Sequence, residues 1–321
     1  MKRYTVFLKV LLTAFLITWL ISKLNWRVTL KELQNVNFKW LLPLMLLGPT
    51  SMLFLSIRWK EILLKYKIDI PILQATQIIS GGQFFNTFMP GSTGGDVLKF
   101  VTMRRLLQNQ ESEIFASIIL DRLFGIIALL LLATIGIIVE PKFLYKSYVL
   151  LKQSPIKTAI ECVVLISVIA ASTLIYFYRH KHPFVIKIKN TIKKTKDLFL
   201  TRLINTKVAT TALSLSIAIH CISFMRFYCL SHSIGINISY ASVSVVVPIV
   251  LIVTMIPVSI NGHGVRELIL ISYFTLVGIT GKPGLETSEL AISVSFLFVL
   301  NDFVLALIGG LWFSRFKIAS V

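Results

Sequence analysis

The chain has 321 residues, 55% of them hydrophobic and only 15% charged, with a formal net charge of +19. A soluble domain carries about 25% charged residues, so the composition excludes an ordinary soluble enzyme and points to the bilayer. Lys and Arg lie mostly in short segments between apolar runs, the pattern of the positive-inside bias, so the charge implies anionic membrane lipids as partners and no nucleic acid.

A helix needs about 20 mostly apolar residues to cross the ~30 Å hydrocarbon layer. Such runs occur at 4–22, 39–57, 113–139, 157–178, 208–232, 240–258, 264–280 and 288–313. The expected fold class is therefore all-α, a polytopic membrane protein of about eight transmembrane helices forming one integral membrane domain over residues 1–321. The first run follows Lys2-Arg3 as a signal sequence would, but Trp19-Leu20-Ile21-Ser22-Lys23 offers no small-residue cleavage site. It is expected to be retained as the first span.

Between the second and third spans, 72–95 is apolar but interrupted by Gly81-Gly82, Asn86, Pro90 and Gly91. Irregular backbone at membrane depth must be buried in protein or line a cavity, so this segment is expected to be a re-entrant hairpin. Lys and Arg are dense in 58–67 and 99–105, and nine fall within the 29 residues of 179–207. Placing these segments inside puts both termini in the cytoplasm and the protein in the cytoplasmic membrane. In the long segment, Ile188, Ile192 and Phe199 recur at helical spacing among Lys187, Lys189, Lys193, Lys194 and Lys196. That pattern fits an amphipathic helix on an anionic leaflet or a solvated basic loop.

Two Gly-rich interruptions lie in opposite halves of the chain. In the first, Thr87, Pro90 and Ser92 lead to Gly94, Gly95 and Asp96. In the second, Thr254, Pro257 and Ser259 lead through Asn261 to Gly262, Gly264, Arg266 and Glu267. Both run Thr-x-x-Pro-x-Ser, then glycines, then a charged residue. Broken apolar segments in corresponding positions of two halves point to a transporter binding site. A helix that restarts after such a break presents N–H groups and partial positive charge, which suits an anion. The alternative is a pair of kinks that ease packing.

Charges inside spans are costly and mark function. Asp121-Arg122, Arg226 and Asp302 beside Asn301 are such charges. Guanidinium pairs with carboxylate and phosphate alike, so buried Arg–carboxylate pairs remain an alternative, Arg122 with Asp302 among them. The candidate substrate-binding set is Asn86, Pro90, Gly94, Gly95, Asp96, Arg122, Arg226, Asn261, Gly262, Gly264, Arg266, Glu267 and Asp302. No His-Glu-x-x-His or Cys-x-x-Cys pattern occurs, and neither a metal, a cofactor nor a catalytic residue is assigned.

The stretch Asn86–Asp96, the Asp121-Arg122 pair with Gly125, the stretch Pro257–Glu267 and Arg58-Trp59 together resemble the lysylphosphatidylglycerol synthase transmembrane-region family of flippase-like membrane proteins. The resemblance covers nearly the whole chain. It implies translocation of an anionic or aminoacylated phospholipid, or of a lipid-linked (polyprenyl-phosphate) sugar, across the cytoplasmic membrane. The larger synthases of that family add a soluble aminoacyl-transferase domain, and that activity is not expected here. A membrane-embedded transferase using Asp96 or Glu267 as base is the enzymatic alternative. An accessory subunit docking a separate soluble transferase or synthase through 179–207 is the third.

Overall fold

The computed structural model describes residues 36–88, 94–107, 109–140, 206–255, 262, 264–279 and 286–316. Every regular element among them is helical. Helix α1 (Phe38–Leu41) and α2 (Leu44–Lys65) follow one another through Leu42-Pro43, and α3 (Ile72–Phe88), α4 (Gly94–Leu106) and α5 (Glu111–Val139) complete the first half. The second half comprises α6 (Thr206–Ser233), α7 (Tyr240–Met255), α8 (Val265–Val277) and α9 (Thr287–Ser314). Four segments are long and apolar enough to cross a membrane: Phe38–Lys65, Glu111–Val139, Lys207–Ser233 and Thr287–Ser314. The expected spans 4–22 and 157–178 lie outside the described residues, as does the basic segment up to 205.

The remaining helices are short. With 17 and 13 residues in α3 and α4, and 16 and 13 in α7 and α8, each rises no more than about 26 Å at 1.5 Å per residue, less than the ~30 Å layer. Within the segments 240–258 and 264–280, expected as two spans, the described helices α7 and α8 are short and pack on one another. The hairpin expected at 72–95 reaches further: its return arm is the charged stretch Gly94–Leu106, not a turn ending at 95. Its arms touch backbone to backbone, because a Cβ on Gly95 would sit 2.7 Å from the carbonyl oxygen of Gly82.

The described helices of the two halves repeat one another in inverted orientation. Each runs long, short, short, long, and equivalent contacts recur between them. The first arm α3 packs on α9, where the backbone of Ser80 meets Gly309. Likewise the short helix α7 packs on α5, where the backbone of Ser244 meets Gly136. Small residues let helix backbones approach this closely in a membrane protein. The equivalent long helices α2 and α6 lie side by side and antiparallel. The Asn37 N–H donates to the Ser233 carbonyl at 2.8 Å at one end, and Arg58 Nη1 donates to Ser216 Oγ at 2.8 Å toward the other. Each half also has its own apolar core. Trp59, Ile62, Ile78, Met103 and Ile114 are fully buried in the first, as are Val246, Leu270, Phe274 and Val294 in the second.

Candidate functional site

Charged side chains collect in two clusters, one per half. In the first, α2 carries Arg58 seven residues before its end, and the apolar run around it buries the side chain to 5% exposure. Arg58 Nε donates to Asp121 Oδ1 at 2.7 Å, and Lys99 Nζ donates to Asp121 Oδ2 at 2.9 Å. Asp121, at 4% exposure on α5, thus holds two buried cations from α2 and α4. Lys99 also lies 5.1 Å from the Trp59 ring, whose Nε1 donates to Ser117. Next along α5, Arg122 pairs through Nε with Asp96 of α4, and both are partly exposed. From α6, His220 places Nε2 3.0 Å from the Gly125 carbonyl, which requires the proton on that nitrogen. Arg58, Asp96, Asp121, Arg122 and His220 line a cavity of about 200 Å³.

The second cluster joins α6, α8 and α9. Arg226 donates to Asn301 Oδ1 from Nε at 3.2 Å and to Asp302 Oδ1 from Nη2 at 2.5 Å. Its guanidinium lies 5.3 Å from the Phe298 ring centroid, and that of Arg266 lies 5.9 Å from the same ring. Two guanidinium groups therefore share one aromatic ring in a buried site. Glu267 does not serve as the hydrogen-bond partner of Arg266. It accepts from the Gly264 N–H at 2.6 Å and from Ser295 Oγ at 2.6 Å, with Arg266 Nε 3.9 Å away. The Glu267 bond caps α8, and Gly264 takes the cap position at φ +86°, a backbone that favours glycine. Arg266 is 6% exposed, and its buried Nε has no hydrogen-bond partner among the described residues.

Several expectations are revised by this geometry. The described charged residues of the candidate set fall into two clusters, one with Asp96 and Arg122 and one with Arg226, Arg266, Glu267 and Asp302. Arg122 was considered as a partner of Asp302; it pairs with Asp96, and Asp302 pairs with Arg226. One N–H at each restarted helix is taken by the protein itself. Gly95 donates to Asn86 Oδ1 at 2.7 Å and Gly264 donates to Glu267. Gly94 is buried at the start of α4, Gly262 sits at φ +74°, and Pro90 and Asn261 lie outside the described residues.

Arg58, Lys99, Ser216, His220, Ser295 and Phe298 were not among the candidates. Hydropathy closes the second span at 57, which leaves Arg58 and Lys99 looking like loop charges. The helix in fact continues to Lys65, and Asp121 pairs with both cations. Asp121 itself, sitting in an apolar run, was the available signal that a cation had to meet it.

The family model described as the lysylphosphatidylglycerol synthase TM region matches residues 6–310. The UPF0104 membrane protein PH1989 of Pyrococcus horikoshii is 23% identical over 310 residues, covering 88% of this chain and 89% of that protein.

Proposed function

The chain belongs to the lysylphosphatidylglycerol synthase TM-region family, and from that membership we propose that it carries the anionic headgroup of a membrane lipid between leaflets. It is a multi-pass membrane protein whose long apolar helices can cross the bilayer. The observation that carries the proposal is Arg266, a buried guanidinium whose Nε has no hydrogen-bond partner among the described residues, while the Glu267 carboxylate 3.9 Å away accepts from the helix cap and from Ser295. An unmet buried donor costs about 1–3 kcal/mol, more when charged, and a phosphate oxygen would satisfy it with a charge-assisted bond. Arg226, against the same Phe298 ring, supplies a second guanidinium. The lipid tail has a place beside them. Asn301, the Arg226 partner, also lines an apolar cavity of about 370 Å³ with Leu230, Leu297 and Val304. A tail remaining in hydrocarbon asks the protein to shelter only the headgroup. Phospholipids, aminoacylated or not, and polyprenyl-phosphate sugars share the anionic phosphate that this site fits.

The transferase alternative gains less support. Both oxygens of Glu267 accept hydrogen bonds, and Asp96 is paired with Arg122, so neither candidate base is free of a partner.

Native mass spectrometry of the purified protein tests the proposal. Wild type should retain an anionic phospholipid or polyprenyl-phosphate lipid. Arg266→Gln should lose it by about tenfold or more, since a hydrogen bond to a charged group contributes roughly 1.5–3 kcal/mol. Equal retention by both proteins would contradict it.

We also place both termini in the cytoplasm. With Arg58 and Lys99 buried, this orientation rests chiefly on the nine cations of 179–207. A cysteine in place of Lys193 should react with an impermeant maleimide only after cells are opened. Labelling in intact cells would reverse the orientation.

A further inference from the structure

We propose that the first half holds a second headgroup station, the inverted counterpart of the Arg226–Arg266 site, in the cavity bounded by Arg58, Arg122 and His220. This inference rests on the lipid-carrying reading above and adds to it a second binding position and a route.

The equivalence is positional and chemical. Arg58 lies seven residues before Lys65 at the end of α2, and Arg226 lies seven residues before Ser233 at the end of α6. Each pairs with an Asp on the last long helix of its own half, Arg58 with Asp121 and Arg226 with Asp302. Each has a charged residue from the second short helix of its half nearby, Asp96 in one half and Arg266 in the other. The first cluster places Arg58, Arg122, Asp96, Asp121 and His220 around one cavity, of about 200 Å³. A guanidinium has five N–H donors. Arg58 uses Nε on Asp121 and Nη1 on Ser216, so a group that lines the cavity keeps donors to offer an anion.

The spacing of the stations fits a route across the bilayer. Because α2 and α6 are antiparallel, Arg58 is level with Ser216, ten residues before Arg226 on α6. Ten residues rise about 15 Å, half of the ~30 Å hydrocarbon layer. One station then falls in each leaflet's share of the membrane. His220 and Ser223 lie between Ser216 and Arg226 at helical spacing, so α6 carries a polar stripe from one station to the other. Asp121 and Asp302 hold the guanidinium groups in place between visits, and the phosphate takes their place or shares the fork as it arrives. Inverted repeats with sites between them are the usual build of transporters that alternate access.

The test counts bound lipid. Wild type, Arg266→Gln and Arg58→Lys are reconstituted in phosphatidylcholine nanodiscs and titrated with dioleoyl-phosphatidylglycerol. Arg58→Lys keeps a cation beside Asp121 but loses the planar fork; should it fail to fold, Arg122→Gln, whose side chain is more exposed, replaces it. Two equivalents are expected in wild type and one in each variant. Saturation of wild type at one equivalent that Arg266→Gln abolishes and Arg58→Lys leaves intact would overturn the second station and leave the first. Two equivalents that Arg266→Gln leaves intact, with Arg58→Lys losing one, would support this station and count against the Arg266 reading instead. Inorganic phosphate titrated in place of the lipid should not bind. Phosphate binding that Arg58→Lys removes would make the cavity a free-anion site and overturn the lipid assignment.

Discussion

Asp121→Ala should leave little folded protein in the membrane. The side chain is 4% exposed and accepts from Arg58 at 5% and Lys99 at 7%. Truncating it strands two buried cations that come from different helices. Breaking one buried ion pair costs about 3–5 kcal/mol, and a protein stable by roughly 5–15 kcal/mol cannot absorb that loss easily. Thermal melting in detergent, followed by size-exclusion chromatography, reads the outcome. A variant melting like wild type would mean that the Arg58–Asp121–Lys99 network is not a keystone of the first half. Replacing all three residues by apolar ones of similar volume, Arg58→Met, Lys99→Met and Asp121→Leu, should restore folding, because exchanging a buried charged group wholesale is often neutral or better.

The second large effect is on function, at Arg226. Arg226→Met leaves Asp302 and Asn301 without their donor. The Asp302 side chain is 25% exposed, so solvent screens the loss and the stability cost should be smaller, about 1–3 kcal/mol. Lipid movement should fall at least about tenfold, the equivalent of ~1.4 kcal/mol. The double variant Arg226→Met, Asp302→Leu separates the two roles. It should regain thermal stability while lipid movement stays low. Recovery of both would reduce Arg226 to a strut between α6 and α9.

The two interruptions were legible in sequence because Gly and Pro announce broken helices locally. The repeated Thr-x-x-Pro-x-Ser spacing also announced two related halves, and the halves are there. The shortness of the two described helices within 240–280 was less visible, since both are as apolar as spans. Arg58 and Lys99 were hidden for a related reason. A hydropathy window treats a charge as the end of a span, whereas a carboxylate sixty-three residues away, Asp121, lets α2 stay buried past it. The partner of each intramembrane charge is a long-range fact. Asp96 with Arg122 and Asp302 with Arg226 follow from helix packing, and no local pattern specifies which carboxylate meets which cation.

That the protein moves an anionic headgroup through Arg266 is tested most directly in proteoliposomes. Vesicles carry a trace of fluorescent phosphatidylglycerol in both leaflets, and dithionite is added outside. Empty vesicles lose only the outer-leaflet signal. Wild type should expose the inner pool as well, so that quenching runs towards completion, and Arg266→Gln reconstituted to the same density should quench like the empty vesicles. Wild type indistinguishable from empty vesicles, or Arg266→Gln quenching as far and as fast as wild type, would contradict the account.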